Sequence, residues 1–477
     1  MSSIDFNALS DFLKGIVGDE YVFSDEAAML AYVREAGLIE GIPPRLVVKP
    51  GSTEEIAKVL RLANEYKVPV YVRGGGSSYS GAGICFKQGI LLDMTRLKGI
   101  IEVNEDSNTV QVWAGTGWTA FNYELRKRGL MTGFRGPASS YTATVGGSSS
   151  VCSIGLGSAK YGGGGDQVLG LEVVLPTGIV INTGSCASER AEPFMRYVLG
   201  PDLTGLFLGD HGMLGVKTKV TFRLYPLPSY EEYAEYGFKT EANAAKAINE
   251  LLRRNICISD LMAFEKFATE VRAKKVTYWQ GYEAIVILKM EAEDKAAIDA
   301  QKNVIRNVLS KYNGVELPEN KMAKTMIGGF FDVFFYARRD AGFSLGMPIL
   351  TPAGKVAEFW ARMRAFIKSV EDKWKKYVNY SGMVLIASAN ACESVPTFYV
   401  PWNYDMDPAA RKEIAELWRA YYSEALKAGG CLCMMGRGAS PLVFNNFSQN
   451  YISFIKSVKK ALDPNNILNP GLWPIEW

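Results

Sequence analysis

A chain of 477 residues with 48% hydrophobic and 22% charged side chains is too long for one core, and its balance is that of a soluble globular protein of two or more domains. A formal charge of +3 without a basic tract argues against nucleic acid as a partner, and no apolar run reaches membrane-spanning length. Histidine occurs once, at position 211, which excludes a His pair, a three-His metal centre or a His base in the C-terminal half.

Residues 1–40 have an amphipathic, helical texture, and the polar start lacks the basic region of a signal peptide. Seven scattered cysteines (85, 152, 186, 257, 392, 431 and 433) suit reduced thiols in a cytoplasm better than a disulfide framework. A strand is expected over 42–48. Ser52 with Glu55 signals a helix start, and Ile56, Val59, Leu60 and Ala63 follow at helical spacing. A second strand, 68–72, runs into Arg73, Gly74, Gly75, Gly76, Ser77 and Ser78, and a third run, 89–92, ends at Asp93. Consecutive glycines let backbone approach a ligand closely, and their N–H groups with the serine hydroxyls form a nest suited to phosphate oxygens. The spacing matches neither a nucleotide-triphosphate loop nor GxGxxG.

A hairpin is expected over 100–114 and a helix over 118–128. Residues 133–178 form a second glycine-rich region, whose density of glycine and small hydroxyls suggests backbone packed against a flat or extended ligand. Residues 205–228 are a third glycine-punctuated unit that feeds a strand. After Pro228 glycine thins out, helices are expected at 241–254, 294–311, 354–372 and 408–428, with strands at 283–289 and 383–387. A capped helix over 451–462 leads into a turn-rich tail. Cys431 and Cys433 are too close together for a zinc or iron–sulfur framework and read as two buried thiols.

Five segments in this order, VRGGGSSYSG (72–81), PASSYTATVGG (137–147), AKYGGGGDQVLGLEVVLPTG (159–178), LGDHGMLGVKTKVTFRLYPLP (208–228) and ALDPNNILNPG (461–471), resemble the flavoenzyme superfamily of vanillyl-alcohol oxidase and p-cresol methylhydroxylase. They are similar in particular to its branch of glycolate oxidase flavin subunits and D-lactate dehydrogenases. The resemblance implies an α+β fold: an FAD-binding domain of two α/β subdomains over 1–228 (core 40–228), an antiparallel-sheet substrate cap over 229–447, and a C-terminal segment, 448–477, that returns to the FAD domain. It implies non-covalent FAD, since Ser77 stands where relatives with a covalent flavin carry histidine. The cofactor would meet Arg73, Gly74, Gly75, Gly76, Ser77, Ser78, Pro137, Thr144, Gly146, Gly147, Gly157, Tyr161, His211, Gly212, Gly215, Val216 and Asn469. His211 occupies a place usually held by Glu, and a cofactor-contact or structural role is expected of it.

The activity so implied is an FAD-dependent oxidoreductase, dehydrogenase or oxidase, taking hydride from a C–H next to oxygen of an alcohol or hydroxy acid. The hydroxyacid branch holds a divalent metal with cap histidines, whereas 383–400 and 429–442 contain none, so a metal-free cap is expected. Candidate catalytic groups are Tyr336 and Arg338 in an aromatic run, Glu393 as a base if burial raises its pKa, and Arg437 facing the flavin. Two other functions are kept: a flavin-carrying electron-transfer subunit with an iron–sulfur or other electron-acceptor protein as partner, and a glycolate- or lactate-type D-2-hydroxyacid dehydrogenase. A cytoplasmic homo-oligomer is expected.

Overall fold

The computed structural model describes residues 5–473 except 199, 255, 257, 330–342, 389 and 435. Its described strands form three sheets. The first contains β1 (Val22–Phe23), β2 (Leu46–Val48), β3 (Val70–Arg73) and β4 (Ile90–Asp93) in the order β1-β2-β4-β3, with β2, β4 and β3 parallel. Burial on both faces explains the unbroken apolar runs of β2 and β4. Helix Thr53–Tyr66 crosses between β2 and β3. Ser52 Oγ accepts from Glu55 N at 3.1 Å, and Ile56, Val59, Leu60 and Ala63 are buried as their spacing predicts.

The second sheet is antiparallel and contains β5 (Ile100–Asn104), β6 (Thr109–Trp113), β7 (Leu130–Thr132), β8 (Val168–Val174), β9 (Val180–Asn182) and β10 (Val216–Pro226). Its order is β5-β6-β10-β8-β9, with β7 paired to the end of β10. The expected hairpin over 100–114 is β5–β6. Val110, Val112, Trp118, Phe134, Val168, Val220 and Phe222 build the core beneath it.

The third sheet begins four residues after Pro226 and is antiparallel throughout its described pairings. It contains β11 (Tyr230–Phe238), β12 (Ile258–Phe264), β13 (Ala284–Ala292), β14 (Val315–Glu316), β15 (Phe343–Gly346), β16 (Ile349–Pro352), β17 (Asn379–Ala387), β18 (Ala391–Val400) and β19 (Cys431–Leu432). Helices Glu241–Arg253, Lys295–Lys311, Val356–Trp374 and Pro408–Lys427 pack their apolar stripes onto it, within two residues of their expected bounds. The α+β class, with an antiparallel-sheet cap beside two smaller subdomains, is therefore the observed architecture.

The N-terminal forty residues differ from expectation. Helices Phe6–Val17 and Glu26–Leu30 are short, and between them Phe23 pairs with Val47 at the edge of the first sheet. Gly18, at φ +95°, ends the first helix, and residues 31–45 run as turns and bends closed by an Arg34–Glu40 bridge, with Ala36 N donating to Gly76 O at 3.1 Å. The C-terminal tail returns to β3. Val70 N donates to Ile467 O at 2.7 Å and Asn469 N donates to Val70 O at 2.8 Å. Buried Lys459 completes the join, with Nζ donating to Met213 O at 2.8 Å and Leu468 O at 2.9 Å and pairing with Asp463 at 2.5 Å. Among the described residues no helix is long and apolar enough to cross a membrane.

Candidate functional site

A cleft enclosing about 1300 Å³ of space open to solvent runs from the glycine loop after β3 to the face of the third sheet. One wall is the loop 73–79. It packs closely on the second glycine-rich segment: a Cβ on Gly75 would lie 1.5 Å from the backbone Thr142 O, and one on Gly74 would lie 2.2 Å from the side-chain Thr144 Oγ1. Gly76 sits at φ +65°, open to glycine without strain. The N–H groups of Gly74, Gly75, Gly76, Ser77 and Ser78 donate to no acceptor among the described residues, and all five residues line the cleft. Ser139 Oγ donates to Ser77 Oγ at 3.3 Å and ties the two segments together. This is a ready nest for an anionic group.

Beside it the lining continues with Pro137, Ala138, Thr144, Gly146, Gly147 and the turn 211–217. Asp210 organises that turn. Its carboxylate accepts from Gly212 N at 2.9 Å and Leu214 N at 3.2 Å, and pairs with Lys217 Nζ at 2.5 Å. His211 sits at φ +53°, its Nδ1 2.9 Å from Gly209 O, and burial pulls its pKa below the usual value, so the ring is neutral. Asn469 stitches this turn to the loop strand: Oδ1 accepts from Val72 N at 3.0 Å and Nδ2 donates to His211 O at 2.7 Å.

The far end belongs to the third sheet: Pro348, Ile386, Glu393, Val395, Cys433 and Met434. Register places Glu393 between two strands, opposite Ile386 on β17 and Leu350 on β16. Glu393 as a residue is 6% exposed, and burial pushes its pKa up to about 7, opposed by a 2.9 Å contact from Cys433 Sγ. That brings its titration into the neutral range, which suits a group that takes up a proton.

Fourteen of the seventeen residues expected at the cofactor line this cleft; Gly157, Tyr161 and Asn469 do not. Gly157 N donates to Asp260 Oδ1 at 2.6 Å, and Tyr161 OH donates to Glu291 Oε1 at 2.6 Å, so both meet the cap sheet instead. Among the catalytic candidates, Glu393 lines the cleft. Arg437 is exposed, lies 4.8 Å over the Phe86 ring and donates to Gly471 O at 3.1 Å, outside the lining residues. Tyr336 and Arg338 lie outside the described residues. Of the two thiols expected to be buried, Cys431 is exposed and only Cys433 turns inward.

Sequence reasoning missed Glu35, which lines the cleft and accepts from Ala82 N at 2.9 Å and Gly83 N at 3.1 Å. It also missed the role of Arg73, whose guanidinium donates to Arg34 O at 2.9 Å and Gly83 O at 3.4 Å. Nothing in the local pattern of 31–40 marks it as a wall of the site.

Residues 44–184 match the model of an FAD binding domain, and residues 227–472 match that of the FAD linked oxidases, C-terminal domain. Among curated proteins, a mitochondrial D-lactate dehydrogenase [cytochrome] of Arabidopsis thaliana is 28% identical over 90% of this chain and 73% of its own length. The D-lactate dehydrogenase of Archaeoglobus fulgidus is 27% identical over 89% and 90%, and the glycolate oxidase subunit GlcD of Bacillus subtilis is 25% identical over 96% and 94%. Among solved structures, p-cresol methylhydroxylase with substrate bound superposes with a TM-score of 0.84 at 19% identity, over 98% of this chain and 96% of that one. An alkyldihydroxyacetonephosphate synthase does so with 0.74 at 19% identity, over 98% and 85%. At that identity the likeness is one of fold.

Proposed function

The chain belongs to the FAD-linked oxidases and is an FAD-dependent oxidoreductase, and from that premise we propose that it dehydrogenates an alcohol or hydroxy acid with Glu393 as proton acceptor and without a metal in the cap. The carrying observation is one cleft with a glycine nest at one end and a buried carboxyl poised near pH 7 at the other. The residues present fit FAD. Free N–H groups of 74–78 suit its pyrophosphate, and the walls 137–147 and 211–217 leave backbone exposed to a flat ring. When bound, FAD supplies the two-electron acceptor for the hydride. Glu393 receives the hydroxyl proton as the substrate C–H hydrogen leaves with its electron pair and the C=O bond forms. The apolar neighbours Ile386, Val395 and Met434 keep water from that carboxyl.

The metal-free reading rests on donor chemistry. The chain's one histidine stands on the flavin-side turn, and among the described residues no three His, Cys, Asp or Glu side chains gather. Arg338 and Tyr336 remain the proposed carboxylate clamp and phenol donor. The division at 228, with 448–477 returning to the first domain, is likewise part of this proposal.

The test is an anaerobic visible spectrum of the purified flavoprotein before and after alcohols, hydroxy acids and phenols, with and without EDTA. Bleaching by one class, unchanged by EDTA, is the expected result. Bleaching abolished by EDTA and restored by a divalent cation overturns the metal-free part. A second reading, a flavin-carrying subunit that passes electrons to an iron–sulfur protein, draws on the similarity to glycolate oxidase subunit GlcD along nearly the whole chain. Co-purification of a cysteine-rich iron–sulfur protein from the native host would favour it; high turnover of the isolated chain with a small acceptor would count against it.

Gly75→Ala probes the nest. The added methyl meets the Thr142 carbonyl, so the loop must shift. FAD affinity, read by fluorescence quenching on titration, is expected to fall about 10- to 100-fold, the equivalent of a few kcal/mol of overpacking.

A further inference from the structure

The carboxyl at the cap end of the cleft has a partner of unusual chemistry. β16 pairs with β18 on one side, setting Leu350 opposite Glu393, and with β19 on the other, setting Leu350 opposite Cys431. The chain leaving β19 turns the next residue, Cys433, back toward Glu393. Its Sγ lies 2.9 Å from Glu393 Oε1, and its other acceptor, Pro348 O, is 3.9 Å away. Glu393 Oε2 meets no donor among the described residues. Both side chains line the cleft.

We infer that Cys433 is a positioning residue for the reaction: its S–H pins Oε1 of Glu393 and leaves Oε2 as the atom that meets the substrate hydroxyl. This rests on the reading of Glu393 as the base. The choice of donor is informative. A lysine or arginine here would hold the carboxylate ionised and poor at taking a proton, whereas a thiol donates weakly and adds no charge. Burial and the adjacent carboxylate push the Cys433 thiol well above its ordinary pKa, so it stays protonated as a donor. The other titratable groups facing the pair are Tyr422, from helix Pro408–Lys427, and Tyr79, from the cradle loop. Tyr422 is held well above its usual value by burial, so it does not titrate in the range where Glu393 does.

The experiment uses the FAD-loaded protein and two readouts. The first is the pH dependence of flavin reduction in anaerobic single turnovers. Cys433→Ala is expected to move the acid limb up by about one pH unit, because the buried carboxylate loses its donor. Cys433→Ser, which keeps an O–H donor, is expected to restore the limb. The second is the S–H stretch in infrared difference spectra, assigned by its loss in Cys433→Ala. It is expected to shift as Glu393 ionises and to stay fixed in Glu393→Gln. An unmoved limb in Cys433→Ala, or an S–H band indifferent to pH in the wild type, overturns the proposal. If Glu393→Gln reduces flavin like the wild type, the base reading falls and the positioning role with it. A shifting S–H band beside a normal Gln variant identifies that failure as the base's rather than the hydrogen bond's.

Discussion

Replacing Glu393 by glutamine is expected to slow reduction of bound flavin by about 10²- to 10⁴-fold, the usual worth of a positioned general base. The amide keeps the size of the side chain and its place between β17 and β16, but it cannot accept the substrate proton. The pH profile gives the sharper signature. The competent form is the carboxylate, and burial places its pKa at about 7, so the wild-type rate should climb roughly tenfold per unit below that pH and level off above it. The glutamine variant should lack this limb. Loss of folding does not explain the result on this account. A folded-state pKa raised from 4.5 to about 7 means that burying the ionised carboxyl costs stability progressively as pH rises through that window. Glutamine has no such cost, so its unfolding midpoint at pH 8 is expected to equal or exceed that of the wild type. A variant that reduces flavin at the wild-type rate with the limb intact would assign the proton to another group.

The second large effect is expected at Asp260. Arg135, on the segment after β7, and Asp260, on β12, form an ion pair with side chains 5% and 3% exposed. Asp260 also accepts from Gly157 N at 2.6 Å and from Ser259 Oγ at 2.8 Å. Nearby, Glu291 takes bonds from Tyr161 at 2.6 Å and Lys160 at 3.2 Å, so the short helix Ser158–Tyr161, which Gly157 caps, is held twice by the cap sheet. Asp260→Ala leaves a buried guanidinium and an amide without their acceptor, and the Ser259 hydroxyl with only Lys289 O at 3.5 Å, and should cost about 3–5 kcal/mol of stability in urea titrations. Replacing both partners by apolar residues, Arg135→Met with Asp260→Leu, should recover much of that loss, because the desolvated charges are then gone together. A single variant within about 0.5 kcal/mol of the wild type would show that the two halves of the cleft do not depend on this contact for their union.

The glycine nest was legible residue by residue because the demand there is local. Where the chain must pass within contact of its neighbour, as Gly75 does against the Thr142 carbonyl and Gly74 against the Thr144 side chain, only a residue without Cβ fits, and that requirement is written at the position itself. The same is true of Ser52 at its helix start and of the apolar periodicity of the cap helices. The density of glycine at 155–165, however, reads identically whether the neighbour is a ligand or another sheet. Gly157 and Tyr161 find their partners 103 and 130 residues away, on strands whose register no local pattern specifies.

By itself, then, the sequence determined the order of the flavin-binding segments, the α+β class, the single histidine and the absence of cap histidines, since each depends on residue type and near spacing alone. The tertiary structure decided which side chains share the cleft. Glu35 becomes part of its wall because its carboxylate takes two amides from residues 82 and 83, nearly fifty positions on. Glu393 acquires a pKa near neutrality, and Cys433 reaches its carboxylate, because four antiparallel strands, β16 to β19, fix their register and exclude water around them. Burial and long-range register are properties of the packed sheet, and a one-residue slip would turn Glu393 to the opposite face.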